Sequence, residues 1–128
     1  MKSMWNGVMP AITTAFNQDF TLDTHFIAEH SQWLVKNGCT GIVAAGSLGE
    51  GATLSSEEKA KLFETLVHAV GDQVPVIAAI AAASTAEAIA LAKTAQHKGC
   101  KGLMILPPYI YTSDWREMKA HIVAVMNA

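Results

Sequence analysis

The sequence predicts an α/β fold built on a parallel sheet, and three observations carry that prediction. Short apolar runs alternate four times with longer segments of helical periodicity. The runs, residues 7–15, 39–46, 74–82 and 100–108, are continuously apolar, as parallel strands covered on both faces require. An internal repeat aligns NGCTGIV at residues 37–43 with KGCKGLM at residues 98–104, an offset of 61 residues, or about two βα units.

Taken in order, the first run reads as a strand ending near Thr13 and Thr14. Phe26, His30, Trp33 and Leu34 then share one helical face, which reads as the core-facing stripe of a crossover helix. Gly38 stands where that helix ends, in a position that tolerates a left-handed backbone. After the second strand, Leu62, Phe63, Leu66, Val67 and Val70 form the stripe of a second helix. An Ala-rich segment around Ile89 and Leu91, residues 86–98, supplies the third and ends at Gly99. Trp115, Met118, Ile122 and Val125 mark the fourth. Ser55 with Glu58, Ser84 with Glu87, and Asp114 with Glu117 have capping-box spacing, so these carboxylates read as helix caps rather than catalytic acids.

Successive right-handed βα units build either a doubly wound sheet or a TIM (β/α)₈ barrel, and the repeat does not choose between them. A barrel needs about 250 residues, so four units in 128 residues amount to half of one, in a single domain without linkers.

Composition narrows the partners. At 51% hydrophobic and 16% charged the chain is globular, and a net charge of −2 without Lys or Arg clusters gives no basis for nucleic acid or an anionic membrane surface. No signal peptide or membrane span is evident, so a cytoplasmic protein acting on a small metabolite is expected. Cys39 and Cys100 each open a strand-like run and read as small packing residues. The five histidines show no metal-ligand spacing, and no metal is expected. The three tryptophans and six methionines read mainly as core residues.

The segment GSLGEGATLS, residues 46–55, carries most of the functional information. It joins a strand end to a helix start, where α/β proteins bind ligands. Gly46, Gly49 and Gly51 permit close backbone approach, and Ser47 offers a hydroxyl beside the Leu48 N–H, a pairing suited to a carboxylate. The spacing is neither Gly-x-Gly-x-x-Gly nor a P-loop, which excludes neither a simple tight turn nor a small-anion site but argues against nucleotides.

Several motifs in order resemble the N-terminal half of the N-acetylneuraminate lyase and dihydrodipicolinate synthase family. GVMPAITTAF at residues 7–16 is similar to the family's first strand, with Ala15 in place of its usual proline. Gly46-Ser47-Leu48-Gly49-Glu50, followed by Leu54-Ser55 and Glu58, resembles the family's Gly-[Thr/Ser]-Thr-Gly-Glu loop and its Leu-[Ser/Thr]-x-x-Glu continuation. Val76-Ile77-Ala78, Ser84-Thr85-Ala86-Glu87-Ala88 and Pro107-Pro108-Tyr109 match further strand ends and a helix start.

The resemblance implies a (β/α)₈ barrel, a homo-oligomer, that acts on pyruvate or another 2-oxo acid through a lysine Schiff base and without a cofactor. By carry-over Ser47 and the Leu48 N–H bind the substrate carboxylate, Thr14 and Tyr109 contribute to the substrate site, and Gly46, Gly49 and Glu50 shape the loop. The family usually has threonine at position 48 and a second tyrosine at position 110; here these are Leu48 and Ile110, with Tyr111 a one-residue-shifted substitute. The Schiff-base lysine and its partner tyrosine belong to later strands and are expected beyond Ala128. Lys2, Lys36, Lys59, Lys61, Lys93, Lys98, Lys101 and Lys119 all read as solvated, without the desolvation a nucleophilic amine needs.

Two functions of different class follow. The residues are the N-terminal portion of a class I aldolase or lyase, inactive by themselves, or they form a half-barrel that binds a carboxylate or self-associates without turnover.

Overall fold

The computed structural model describes residues 4–128; the Lys2 expectation lies outside them. A three-stranded parallel sheet of order β1-β2-β3 is formed by β1 (Ile42–Ala44), β2 (Val76–Ile80) and β3 (Gly102–Ile105). Helices α1 (Thr24–Lys36), α2 (Ser56–Val70), α3 (Thr85–His97) and α4 (Trp115–Met126) alternate with them. Ile42 lies opposite Val76, and Ala79 opposite Met104.

Side-chain alternation divides the sheet into two apolar faces. Ile42, Ala44, Val76, Ala78 and Ile80 pack with Ile27, Leu62, Phe63 and Leu66 from the helices. Val43, Ile77 and Ala79 form a separate inner layer with Met9 against it. A Cβ at Gly102 would collide with the Trp5 ring, so Trp5 lies against the sheet beside the edge strand.

The first apolar run departs from expectation. Residues 7–15 lie parallel beside β1, but a single Ala11–Val43 bridge replaces a regular strand. Val43 N–H donates to the Pro10 carbonyl (2.9 Å) and Ile12 N–H to the Val43 carbonyl (3.1 Å). The ladder cannot extend downward, because its next bond would need a Pro10 N–H. Upward it stops at Ala45, whose φ of 57° leaves the extended region. The run therefore occupies a fourth strand position without forming a full strand.

Local signals proved dependable at helix ends. Ser55 and Asp114 make complete capping boxes with Glu58 and Glu117, while Ser84 accepts a bond from the Glu87 N–H. Asp23, unanticipated, caps α1. At the repeat, Gly38 (φ 98°) and Gly99 (φ 91°) adopt the left-handed conformation. Cys39 N–H bonds the Leu34 carbonyl as Gly38 N–H bonds Val35, and Cys100 and Gly99 do the same with Ala95 and Gln96. These are two Schellman motifs, so the repeat is a duplicated helix-to-strand junction.

The helix faces needed correction. Phe26 and Trp33 are 51% and 59% exposed, and α1 instead buries Ile27 and Ser31. Ser31 hides the true stripe because its hydroxyl, donating to the Ala28 carbonyl (2.8 Å), makes a polar residue burial-compatible. On α4, Trp115 is 69% exposed and the buried residues are His121 and Val125. None of the three tryptophans belongs to the core. The fourth run also differs: β3 is an edge strand with Leu103 and Met104 partly exposed, not a strand covered on both faces.

Two measurements test this packing. Ser55→Ala removes the acceptor of one cap bond and should lower unfolding stability by about 1 kcal/mol in a urea titration. Burial raises the Cys100 thiol from its ordinary 9.0 to about 11. At pH 8 its alkylation should therefore be slower than that of an unfolded-chain cysteine by about a hundredfold. The same shift removes stability as pH climbs above about 9, because the unfolded thiol releases its proton first.

Candidate functional site

Beyond β1 the chain turns sharply, and backbone bonds set the turn. Gly51 N–H reaches the Gly46 carbonyl (3.1 Å), and Glu50 N–H reaches Ser47 (3.2 Å). Glu50, at φ 56°, presents its carbonyl to the N–H groups of Thr53 (3.0 Å) and Leu54 (3.3 Å) and to the Thr53 hydroxyl (2.9 Å). A Cβ at Gly51 would collide with the Ala45 carbonyl, which makes glycine obligatory there.

A second anchor comes from the first run. The buried Thr14 hydroxyl donates to the Gly49 carbonyl at 2.6 Å, and a Cβ on Gly49 would lie 2.9 Å from the Ile12 carbonyl oxygen. The loop is thus pinned against the chain on both sides. At its tip, Ser47 and Leu48 are exposed, and their N–H groups and the Ser47 hydroxyl have no hydrogen-bond partner among the described residues. Unpaired donors held on a fixed backbone form a ready anion receptor.

Ser47 borders a cleft of about 350 Å³. Gly46, Ser47 and Glu50 contribute from the loop, Ala79 from inside β2, Leu106 from just beyond β3, and Tyr109 from the segment that follows. It lies at the C-terminal ends of parallel strands, where barrel and open-sheet enzymes place their sites. A larger hollow of about 770 Å³ lies between α1 and α2, lined by His25, Glu29, Lys61, Glu64 and His68. It is away from every strand end and holds no predicted site residue.

The structure brings Gly46, Ser47, Glu50 and Tyr109 together around one cleft. Leu48 stands at the loop tip outside its lining, Thr14 and Gly49 are buried behind, and Tyr111 is exposed and outside the lining. Thr14 therefore holds the loop with its donor already engaged. The strand-end segments 79–83 and 107–111, which the sequence offers as site candidates, take in the cleft residues Ala79, Ala81 and Tyr109 but miss Leu106, an apolar residue with no chemical signal one position before the second segment.

Lys59, which the sequence reads as solvated, is instead half-buried and lines an adjoining cleft of about 440 Å³ with Ser56, Glu87 and Tyr109. The first cleft itself has no lysine among its described lining residues. It offers donors for an anion and one carboxylate, but no amine nucleophile.

Comparison with known proteins gives this geometry a context. The dihydrodipicolinate synthetase family model matches residues 4–128. A 4-hydroxy-tetrahydrodipicolinate synthase from Mycolicibacterium paratuberculosis is 37% identical over 121 residues, covering 94% of this chain and 40% of its own. Dihydrodipicolinate synthase from Cyanidioschyzon merolae superposes with a TM-score of 0.93 at 30% identity, over 98% of this chain and 43% of that one. A prophage protein of the dihydrodipicolinic acid synthase family from E. coli K12, solved in complex with pyruvate, gives 0.92 at 26% identity, over 98% and 42%. The chain spans about two fifths of the length of these relatives. Its partial parallel sheet and flanking helices are one half of their (β/α)₈ barrel, and the chain belongs to the dihydrodipicolinate synthetase family.

Proposed function

We propose that residues 46–51 form the carboxylate clamp of a class I aldolase or lyase that uses pyruvate or a related 2-oxo acid. The observation that carries this reading is the pair of unsatisfied donors, the Ser47 hydroxyl and the Leu48 N–H, held on a pinned loop beside a small cleft. Hydrogen bonds to a charged group stabilise by about 1.5–3 kcal/mol each, enough to orient a three-carbon acid. The pyruvate complex of the E. coli relative supports a 2-oxo acid as the ligand class.

In this reading the chain supplies binding and orientation, and the amine that forms the imine comes from strands beyond Ala128. Imine formation makes the 2-oxo acid an electron sink, so that a C–C bond forms or breaks at the adjacent carbon. The clamp's contribution is positional: it fixes the carboxylate so that the carbonyl carbon faces the amine. Leu48 removes the hydroxyl that the resemblance expects, which leaves Ser47 as the side-chain donor and raises the share carried by backbone. Tyr109 closes the far wall of the cleft, its ring 71% exposed in these residues alone and available to a substrate or a neighbouring element.

Borohydride reduction in the presence of pyruvate tests the chemistry. A protein extending past Ala128 should gain a covalent pyruvate adduct on a lysine of its later strands, and absence of any adduct would sink the mechanism. Ser47→Ala should weaken pyruvate binding about tenfold or more by calorimetry, the loss of one charge-assisted bond. Thr14→Val should cost about 1–3 kcal/mol of stability by leaving the Gly49 carbonyl unsatisfied. It should also speed amide exchange at Glu50 and Gly51 before the rest of the chain responds.

A further inference from the structure

Two walls of the candidate cleft lead directly into helices. Ala81 lines it just beyond β2, and residues 81–84 connect that strand to α3. Tyr109 lines it from residues 106–114, which connect β3 to α4. Neither connection is held along its length. Ala82 and Ala83 make no hydrogen bond among the described residues, and neither do residues 107–113, so each wall takes its position from the elements at its two ends.

At the strand end the two walls share one tether, the Leu106 N–H donating to the Ile80 carbonyl at 2.9 Å. Their separation farther out is set by how α3 and α4 sit against each other. The buried residues of α3 are Ala88, Leu91, Ala92 and Ala95, and α4 adds Val125 to the same core. Apolar burial of this kind is non-directional, and three alanines offer little relief for a second helix to lock against. Direction comes from a polar contact. The hydroxyl of Thr85, the first residue of α3, lies 2.9 Å from Nδ1 of His121 on α4.

His121 is 5% exposed, and its Nε2 is buried without a hydrogen-bond partner among the described residues. Glu117, one turn earlier on α4, has its carboxylate engaged with the Asp114 N–H at 3.0 Å. In either neutral tautomer, then, one ring nitrogen meets Thr85 and the other has no partner. An unsatisfied buried nitrogen costs free energy that an apolar side chain of similar volume avoids, so space filling does not account for an imidazole here. The bond to Thr85 does. Because the ring is enclosed within residues 4–128, its place does not depend on the strands that follow.

We propose that His121 is a positioning residue for the cleft: its bond to Thr85 locks α4 to the start of α3 and thereby fixes the separation of the Tyr109 and Ala81 walls. It touches no ligand itself and acts through the two connections. The proposal rests on the reading of this cleft as a 2-oxo acid site, and adds that one wall-to-wall distance there is set by a single buried hydrogen bond behind it. Orientation of so small a ligand depends on such distances, because it has few atoms with which to compensate for a displaced wall.

Thr85→Val and His121→Leu each delete the bond while keeping most of the volume, and are best made in the protein that extends past Ala128. Each should weaken pyruvate binding by calorimetry about fivefold, at a temperature where circular dichroism shows the variant fully folded. Amide exchange at Ala82, Ala83, Tyr109 and Ile110 should quicken in both. The double variant should bind no worse than either single one, since both remove the same bond, and Thr85→Ser, which keeps the hydroxyl, should bind as the parent does. Should His121→Leu not fold, Thr85→Val decides. A lowered melting temperature with pyruvate affinity and those four amides unchanged would reduce His121 to packing and overturn the proposal. If the parent protein itself does not bind pyruvate, the 2-oxo acid reading fails, and the exchange rates alone then decide whether the bond holds the walls.

Discussion

Burial of β2 on both faces is the constraint from which the rest of the structure follows. All five of its residues, Val76–Ile80, are buried, one set against the helices and the other against the inner layer. A strand with no solvated face has no place for functional polar side chains along its length. Chemistry is pushed to where the backbone leaves the sheet, and Ala79 and Leu106 accordingly form the apolar floor over which Ser47, Glu50 and Tyr109 gather. The parallel register of β2 with β1 and β3 sets the height at which the loops emerge.

The pinned loop shows how local chemistry and long-range contact divide the work. Glu50 and Thr53 organise the turn from within, by bonds that span only a few residues. Thr14 organises it from outside, across 35 residues of sequence. Without the second, the turn would keep its shape but lose its placement relative to the strand ends. The proposed carboxylate clamp needs both, because donors spaced correctly but aimed wrongly gain little over water.

Much of this was readable in the residues, and the failures share a cause. Strand positions were legible because continuous apolar runs have few alternative homes, and helix ends because Ser55, Asp114, Gly38 and Gly99 act through bonds confined to one turn. The loop was legible because its glycines and hydroxyl sit at a strand end. Burial direction was not: Phe26, Trp33 and Trp115 look identical in sequence whether they meet their own core or something outside it. Ser31 erred in the opposite sense, a polar residue whose local hydrogen bond makes the core acceptable. Pro10 signalled its effect plainly, yet the missing ladder bond matters only once β1 is known to lie alongside.

Ala45 holds a φ of 57°, and Glu50 one of 56°, in a region that side chains bearing a Cβ visit at a cost of order 1 kcal/mol. Both lie at the shoulders of the donor tip, and neither is glycine. Substituting glycine would relieve the strain while multiplying the shapes open to the unfolded loop. In the proposed role, the strained residues move an entropic charge from ligand capture to folding: the loop is frozen before a ligand arrives, and a metabolite of only a few heavy atoms need not order it.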